Sequence, residues 1–326
     1  MGSVKDLIVD KEPTATEMGR GRFVFTDFFS VFDWGRMPDP IPYKGASLNM
    51  MSAQPFGQLE EAGIKTHYRG LDKNGECVDF DSIENPTNVM YIDLVNVVHP
   101  DTRIENGKVV YDYRKFQDLE GNFLIPLEII YRNGLPEGSS VFRRLESEEL
   151  TPEDLGLDHY PQPGEWLPKP FFDFSTKLEE GDRYLTHDEA QRIAALRNGE
   201  YQYVLDILLY TDSLITKAAE KAGMDNWDGK KELAFNPERR LMVVDTVRTL
   251  DECRFTYDGV HVSKEALRQY YIKTQPEWRE ACDNYKTTGE NWQKRCPVKP
   301  NRLPEELVVL TSQMYMSACN LWVGRD

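Results

Sequence analysis

The residues of this chain best suited to chemistry are two carboxylates, Glu232 and Asp245, in the runs "WDGKKELAF" and "RRLMVVDTV". Both runs read as strands, and Asn236 and Pro237 turn the chain between them. Such a hairpin brings the two side chains close to opposite each other. Facing carboxylates repel unless a cation sits between them, and Mg²⁺ with nucleotide phosphate is the usual occupant. The competing reading, that one side chain faces solvent, is favoured on spacing alone. Lys230 shares the strand face of Glu232 by the two-residue period. A lysine there suits a phosphoryl group in transfer, because it neutralises charge without moving a proton; taken singly it is an ordinary surface ion pair. Arg132 closes the apolar run "NFLIPLEIIYRN", where a fork-shaped donor can grip phosphate or carboxylate. Gly138, Ser139 and Ser140 downstream add backbone and hydroxyl donors. A third cluster, "FSTKLEEGDR", crowds Ser175, Thr176, Lys177, three carboxylates ending at Asp182, and Arg183 ahead of a helix start. It is either a solvated turn or the seat of an anionic substrate.

These residues need elements to hold them, and the chain changes texture partway along. Its first 120 or so residues read as strands and turns, with turn signals at Asp72 to Gly75 and Glu105 to Gly107, and one helix over about 46–61 stopped by Gly63. From "NFLIPLEIIYRN" onward a buried strand gives way to helical patterns, which sets domains at 1–122 and 123–326. Thr186 with Glu189 forms a capping box. A helix with an apolar stripe from Tyr201 to Ala222 follows and stops at Gly223; that stripe is core. Ser263 opens a further helix. Residues 274–301 read as polar and irregular, and a last helix runs from about Pro304 to Gly324. The fold class expected is α+β.

Composition bounds the partners. Fifty-five acidic residues against 39 basic give a net charge of -16 over 326 residues, which weighs against nucleic acid and anionic membranes. An anionic ligand must then be caught by a local basic pocket. Five separated cysteines with no CxxC pair point to reduced thiols in the cytoplasm rather than zinc or disulfides. No stretch has the length of a membrane span and "MGSVKD" has no signal core, so the chain is read as soluble and unprocessed, with a homo-oligomer left open. Walker A, GxGxxG, HExxH and GxSxG motifs are all absent.

In their order, these blocks resemble the SAICAR synthetase family, in a longer form seen in archaea, from Gly2 to about Tyr271. "GSVKD" is similar to the family's opening GKVRD, and "TDFFSVFD" to TDRISAFD, with Phe28 where many members carry Arg. "IPYKGASLN" matches IPGKGxxLN, "PLEIIYRN" matches PxExVxRN, and Gly138-Ser139 matches a following GS. "FSTKLEEGD" is similar to PSTKxExGD, a loop lining the imidazole nucleotide site. "DGKKE" looks like DxKxE. "VVDTVRTLDECRF" looks like LADExxTPDSSRF, with Thr246 in place of the Glu of DE, and "SKEALRQYY" matches a helix carrying Lys264 and Arg268.

The resemblance implies a two-domain fold, a β-rich N-terminal domain like a kinase N-lobe plus a larger mixed α/β domain, with ATP in the cleft between them. It implies an ATP-dependent carbon–nitrogen ligase of purine biosynthesis. Such an enzyme joins L-aspartate to carboxyaminoimidazole ribonucleotide (CAIR) through an acyl phosphate, giving SAICAR, ADP and phosphate. Mg²⁺ would rest on Glu232 and Asp245, with Lys230 facing the transferring phosphoryl group. ATP would meet Lys5, Lys230 and the "NFLIP" hinge at Leu124. Substrate contacts fall to Lys44, Arg132, Ser139, Ser175, Thr176, Lys177, Asp182, Arg254 and Arg268. Three other readings compete: a paralogue ligating another azole nucleotide, a small-molecule kinase, and a non-catalytic nucleotide binder. The last is disfavoured by the presence of Lys230, Glu232 and Asp245.

Overall fold

The computed structural model describes residues 4–106, 108–286, 289 and 291–324, so Gly2 and Ser3 of the opening block and Gly107 of a turn signal lie outside the described residues. The chain opens with the hairpin β1 (Lys5–Lys11) and β2 (Gly19–Phe25), followed by helix α1 (Lys44–Glu61). Four short strands come next, β3 (Lys65–Thr66), β4 (Tyr68–Lys73), β5 (Glu76–Val78) and β6 (Val89–Leu94), then a separate hairpin of β7 (Asp101–Glu105) and β8 (Lys108–Asp112). An antiparallel sheet in the order β1-β2-β6-β4-β5 results. Asp27 fixes the start of α1 by accepting the Gly45 N–H at 2.9 Å, and Leu48, Met51, Phe56 and Leu59 bury the helix against the sheet.

The apolar run seen in sequence is two strands, β9 (Phe123–Leu124) and β10 (Leu127–Leu135), broken at Ile125 and Pro126. After α2 (Ser140–Glu146) come β11 (Glu165–Thr176), β12 (Tyr184–Leu185), α3 (His187–Ile193), α4 (Glu200–Lys221), β13 (Asp225–Phe235), β14 (Leu241–Val244), β15 (Cys253–Tyr257) and β16 (Val260–His261). The second sheet runs β12-β11-β10-β13-β14-β3, and β13 also pairs with β9 and β15. Thr186 caps α3 as expected, its hydroxyl accepting the Glu189 N–H at 3.2 Å. Helix α4 buries Val204, Leu208 and Ile215 behind β10 and β13, against Ile129, Tyr131 and Leu233.

Residues 274–301 depart from the irregular reading. They hold α6 (Pro276–Lys286) and α7 (Trp292–Arg295), after α5 (Glu265–Thr274) and before α8 (Glu305–Val323). The reason is a few large side chains in a polar background. Trp34 packs edge-on between Trp278 and Trp292 with ring centroids 5.5 Å apart in each pair, and Cys282 and Cys296 are buried beside them. Helix α8 lies along α1. A continuous hydrophobic core runs through Phe25, Phe56, Phe123, Phe235, Trp278 and Tyr315, so both sheets share it. Among the described residues no helix is long and apolar enough to cross a membrane, and all five cysteines are free thiols.

Candidate active site

The site is one face of the second sheet. Side chains alternate across a strand, so the packing of Ile129 and Tyr131 onto α4 leaves Glu128, Ile130 and Arg132 of β10 on the opposite face. Register carries that face across the sheet. Glu128 pairs with Ser175 and Ile130 with Asp173 on β11, while Ile130 pairs with Lys230 and Arg132 with Asp228 on β13. Asp228 in turn pairs with Arg254 on β15. Glu232 lies opposite Val244, which places Asp245 just past its shoulder. Asp245 has a left-handed backbone, φ +69, a conformation that costs free energy for a residue with a Cβ and recurs at functional sites.

Two ionic groups occupy this face. In the first, Lys177 Nζ lies 2.5 Å from Glu232 Oε1 and 3.7 Å from Glu128 Oε1. Lys230 Nζ is 2.8 Å from the same Glu128 oxygen and 3.3 Å from Glu252 Oε2, and Lys5 reaches over from β1 to pair with Asp245. Three ammonium groups against four carboxylates leave one negative charge. Burial and the neighbouring Asp245 push the Glu232 carboxyl up to about 7, against the pull of Lys177 and Lys230. Burial acts the same way on Asp245, but the Lys5 ammonium holds that carboxyl below its usual range. Lys230 is raised, since Glu252, Glu128 and Glu232 together outweigh its burial.

The second group is built on arginines. Arg132 is 2% exposed, with Nη2 3.0 Å from Asp173 and Nη1 3.6 Å from Asp228. Arg144 of α2 binds the same Asp173 oxygen at 2.6 Å, and Arg254 grips Asp228 with two donors, Nε at 2.8 Å. Three guanidinium groups meet two buried carboxylates here, and the exposed Glu149 lies 3.9 Å from Arg144 Nε as a third. Ser140 Oγ accepts from Arg132 at 3.3 Å and lies 2.7 Å from the Tyr184 hydroxyl. A cavity of about 980 Å³ opens beside this knot, lined by Arg143, Arg144, Lys169, Asp173 and Tyr184 among others. At the other end of β13, Leu124, Ala234, Met242 and Val244 form a small apolar cluster with Met18 and Val95 from the margins of β2 and β6. This cluster is apart from the main core and lies where the two sheets meet.

Glu128, Asp173, Asp228 and Glu252 were not singled out in the sequence. Three of them stand two positions from a residue that was, or from its strand mate: Asp173 before Ser175, Asp228 before Lys230, and Glu128 before Ile130 on the face of Arg132. The two-residue period was the signal available. Ser139 caps α2, accepting the Val141 N–H at 3.4 Å, and Ser140 is the hydroxyl that meets Arg132. Thr176 lies opposite core residue Leu127, on the other face from Ser175, and its Oγ1 accepts the Arg183 N–H at 3.2 Å. Lys44 is fully buried. Its ammonium is held by Asp251 at 2.8 Å and by the Phe28 carbonyl at 3.2 Å, and the Tyr315 hydroxyl donates to the same Asp251 carboxylate at 2.6 Å. Direct substrate contact by Thr176 or Lys44 therefore has no support in the geometry, because strand alternation turns one away and packing by α8 encloses the other. Arg268 pairs with Glu265 on α5, and Asp182 lines a further cavity of about 770 Å³ with Asp33, Glu179 and Lys286.

The SAICAR synthetase family model matches residues 13–285. A relative from Archaeoglobus fulgidus with the provisional name phosphoribosylaminoimidazole-succinocarboxamide synthase is 49% identical over 325 residues, covering 100% of this chain and 94% of its own. The enzyme of that name from Thermoplasma acidophilum is 34% identical over 281 residues, 84% of this chain and 82% of the relative. The structure of SAICAR-synthase from Saccharomyces cerevisiae complexed with SAICAR matches with a TM-score of 0.66 at 20% identity, over 100% of this chain and 94% of that one. A type-2 SAICAR synthetase structure in complex with ADP matches at 0.59 and 19% identity, over 93% and 99%. At those identities the two structures establish the fold. With the family model and these two relatives, the chain is an ATP-dependent ligase. The chain belongs to the SAICAR synthetase family, and the likeness runs past Tyr271 into α6 and, in the Archaeoglobus relative, to the end of the chain.

Proposed function

We propose that this chain joins L-aspartate to the carboxylate of CAIR at the expense of ATP, giving SAICAR, ADP and phosphate. One observation carries the assignment of parts: alternate residues of β13, namely Asp228, Lys230, Glu232 and Ala234, run from the arginine knot through the carboxylate cluster to the apolar slot. Adenine fits the slot beside Leu124, between lobes of 1–122 and 123–326. The ribonucleotide's phosphate fits the arginine knot of Arg132, Arg144 and Arg254, with Ser139 and Ser140 beside it, and Arg268 on α5 is a further candidate. Ser175 and Asp182 then border the imidazole.

Glu232 and Asp245 fit a divalent cation. Burial and the adjacent Asp245 hold the carboxyl of Glu232 up to about 7 even with Lys177 and Lys230 beside it, and a divalent cation would offset both. Mg²⁺ on these two carboxylates would draw its remaining ligands from water and substrate phosphate. Bound there, Mg²⁺ would supply charge neutralisation for the triphosphate. The CAIR carboxylate attacks the γ-phosphorus of ATP and ADP departs. The aspartate amine then attacks the acyl carbon, loses a proton and expels phosphate. Lys230, fixed between Glu128 and Glu252, faces the phosphoryl group, and Lys5 approaches the nucleotide from β1. The protein's share is alignment and charge, most of what phosphoryl transfer requires. The reduced thiols suit a cytoplasmic enzyme.

Release of ADP tests this. Full rate is expected only with CAIR and L-aspartate together, with one amide formed per ADP, and Asp245→Asn should abolish it in a protein that still folds. Full-rate ADP release without aspartate would make the chain a kinase.

A further inference from the structure

The loop between β11 and β12 carries Lys177 and Asp182 into the site, yet it holds no regular structure of its own over residues 177–183. Lys177 N–H donates to the Pro126 carbonyl at 3.1 Å and Arg183 pairs with Glu189 at 2.9 Å at the ends of this loop, and its middle is held from β8 and the residue after it, in a two-stranded sheet with β7 that pairs with neither of the larger ones. The Tyr113 hydroxyl donates to Glu179 Oε1 at 3.0 Å. The Glu180 N–H donates to the Tyr111 hydroxyl oxygen at 2.9 Å. Glu179 also accepts from Arg183 Nη2 at 3.0 Å and Nε at 3.2 Å, and the Arg183 backbone is tied to Thr176 in both directions, N–H to Oγ1 at 3.2 Å and carbonyl to N–H at 3.0 Å. The Glu179 side chain is 7% exposed although it lies on a surface loop, and Tyr113 is 8% exposed. A buried carboxylate held by a phenol on one side and a guanidinium on the other is a fixed point, not a solvated turn.

We infer that Tyr113 and Tyr111 of this hairpin are positioning residues for the ribonucleotide: they hold the 177–183 loop closed over its end of the site, acting through Glu179 and the Glu180 amide. Neither tyrosine touches the face that holds the charges. The hydrogen-bonded path runs from Tyr113 through Glu179 and Arg183 to Thr176, the residue that leads into Lys177. Ordering the loop in advance removes an entropy cost that binding would otherwise bear, so the gain falls on the substrate the loop covers. The inference rests on the proposed reading for the identity of that substrate, but the latch itself does not.

The test uses Tyr113→Phe, Tyr111→Phe and the double variant, in two arms. Hydrogen exchange of the free protein should show amides 178–182 exchanging at least about tenfold faster in the double variant, with α4 and β13 unchanged. In steady-state kinetics the KM for CAIR should rise about five- to tenfold while that for ATP stays within about twofold. Glu179→Gln, which keeps an acceptor for Tyr113 and weakens the hold on Arg183, should give a smaller rise in the same KM. Unchanged loop exchange overturns the latch whatever the substrate is. Faster exchange with no turnover of CAIR by the wild type leaves the latch standing and sinks the assigned substrate. A parallel rise in all KM values, or a fall in stability alone, reduces both tyrosines to packing and overturns the inference.

Discussion

Replacing Lys177 by methionine keeps the length of the stem and removes the charge that lies 2.5 Å from Glu232. An opposite charge within about 4–6 Å moves a carboxyl pKa by about 1–3 units. Glu232 already stands at about 7 with Lys177 in place, so the variant should place it near 8 to 10. The cost is roughly 1.4 to 4 kcal/mol, at about 1.4 kcal/mol per unit. At about pH 7.5 the ionised fraction then falls from about three quarters to about a quarter or less. A metal competes with that proton, so Mn²⁺ affinity in the absence of ATP should acquire a midpoint at least about one unit higher in the variant. Titrating Mn²⁺ calorimetrically from about pH 6 to 9.5 reads it directly, and the acid limb of kcat/KM for ATP should move in the same direction. A midpoint within about 0.3 units of the wild type would refute the reasoning. If the loss were confined to the KM for CAIR, Lys177 would be a ribonucleotide ligand and its pairing with Glu232 incidental.

Two other outcomes follow from the same geometry. The folded-state pKa of Glu232 lies above the value of about 4.3 for the unfolded chain, so the native state binds more protons across that window and its stability falls as pH rises toward about 7. Glu232→Gln should therefore match the metal-free wild type near pH 4.5 and exceed it by roughly 1 to 3 kcal/mol near pH 8 in urea denaturation; a difference independent of pH would contradict this. Lys44→Met leaves Asp251 buried without its cation and should cost about 3 to 5 kcal/mol of stability, largely restored by Asp251→Asn in the double variant. A rise in the KM for CAIR with stability intact would return Lys44 to the substrates.

Which residues face the site could be read from the chain more easily than what each of them meets there. The hairpin at Asn236, the cap at Thr186 and the shared face of Lys230 and Glu232 are local, set by turn chemistry and the two-residue period. The partners of Arg132 are not local. Asp173 and Asp228 reach it only because the register of β10 against β11 and β13 brings residues 41 and 96 positions away into one row. Lys44 was hidden for the same reason, since its enclosure is made by Asp251 and by Tyr315 on α8. The helices around Trp278 and Trp292 escaped because their composition is polar and only a few residues pack.

Strand β13 gives the site a fixed scale. Its site-facing residues repeat at about 6.8 Å, two residues at a time, and Asp228, Lys230, Glu232 and Ala234 cannot approach or separate without breaking the pairing to β10, β14 and β15. Lys5 and Lys177 are different: one comes from a strand at the edge of the first sheet, the other from a loop. The strand is thus the anvil and those two lysines are the jaws. Their ion pairs with Asp245 and Glu232 can therefore open through side-chain movement alone, while the row of residues beneath them stays paired.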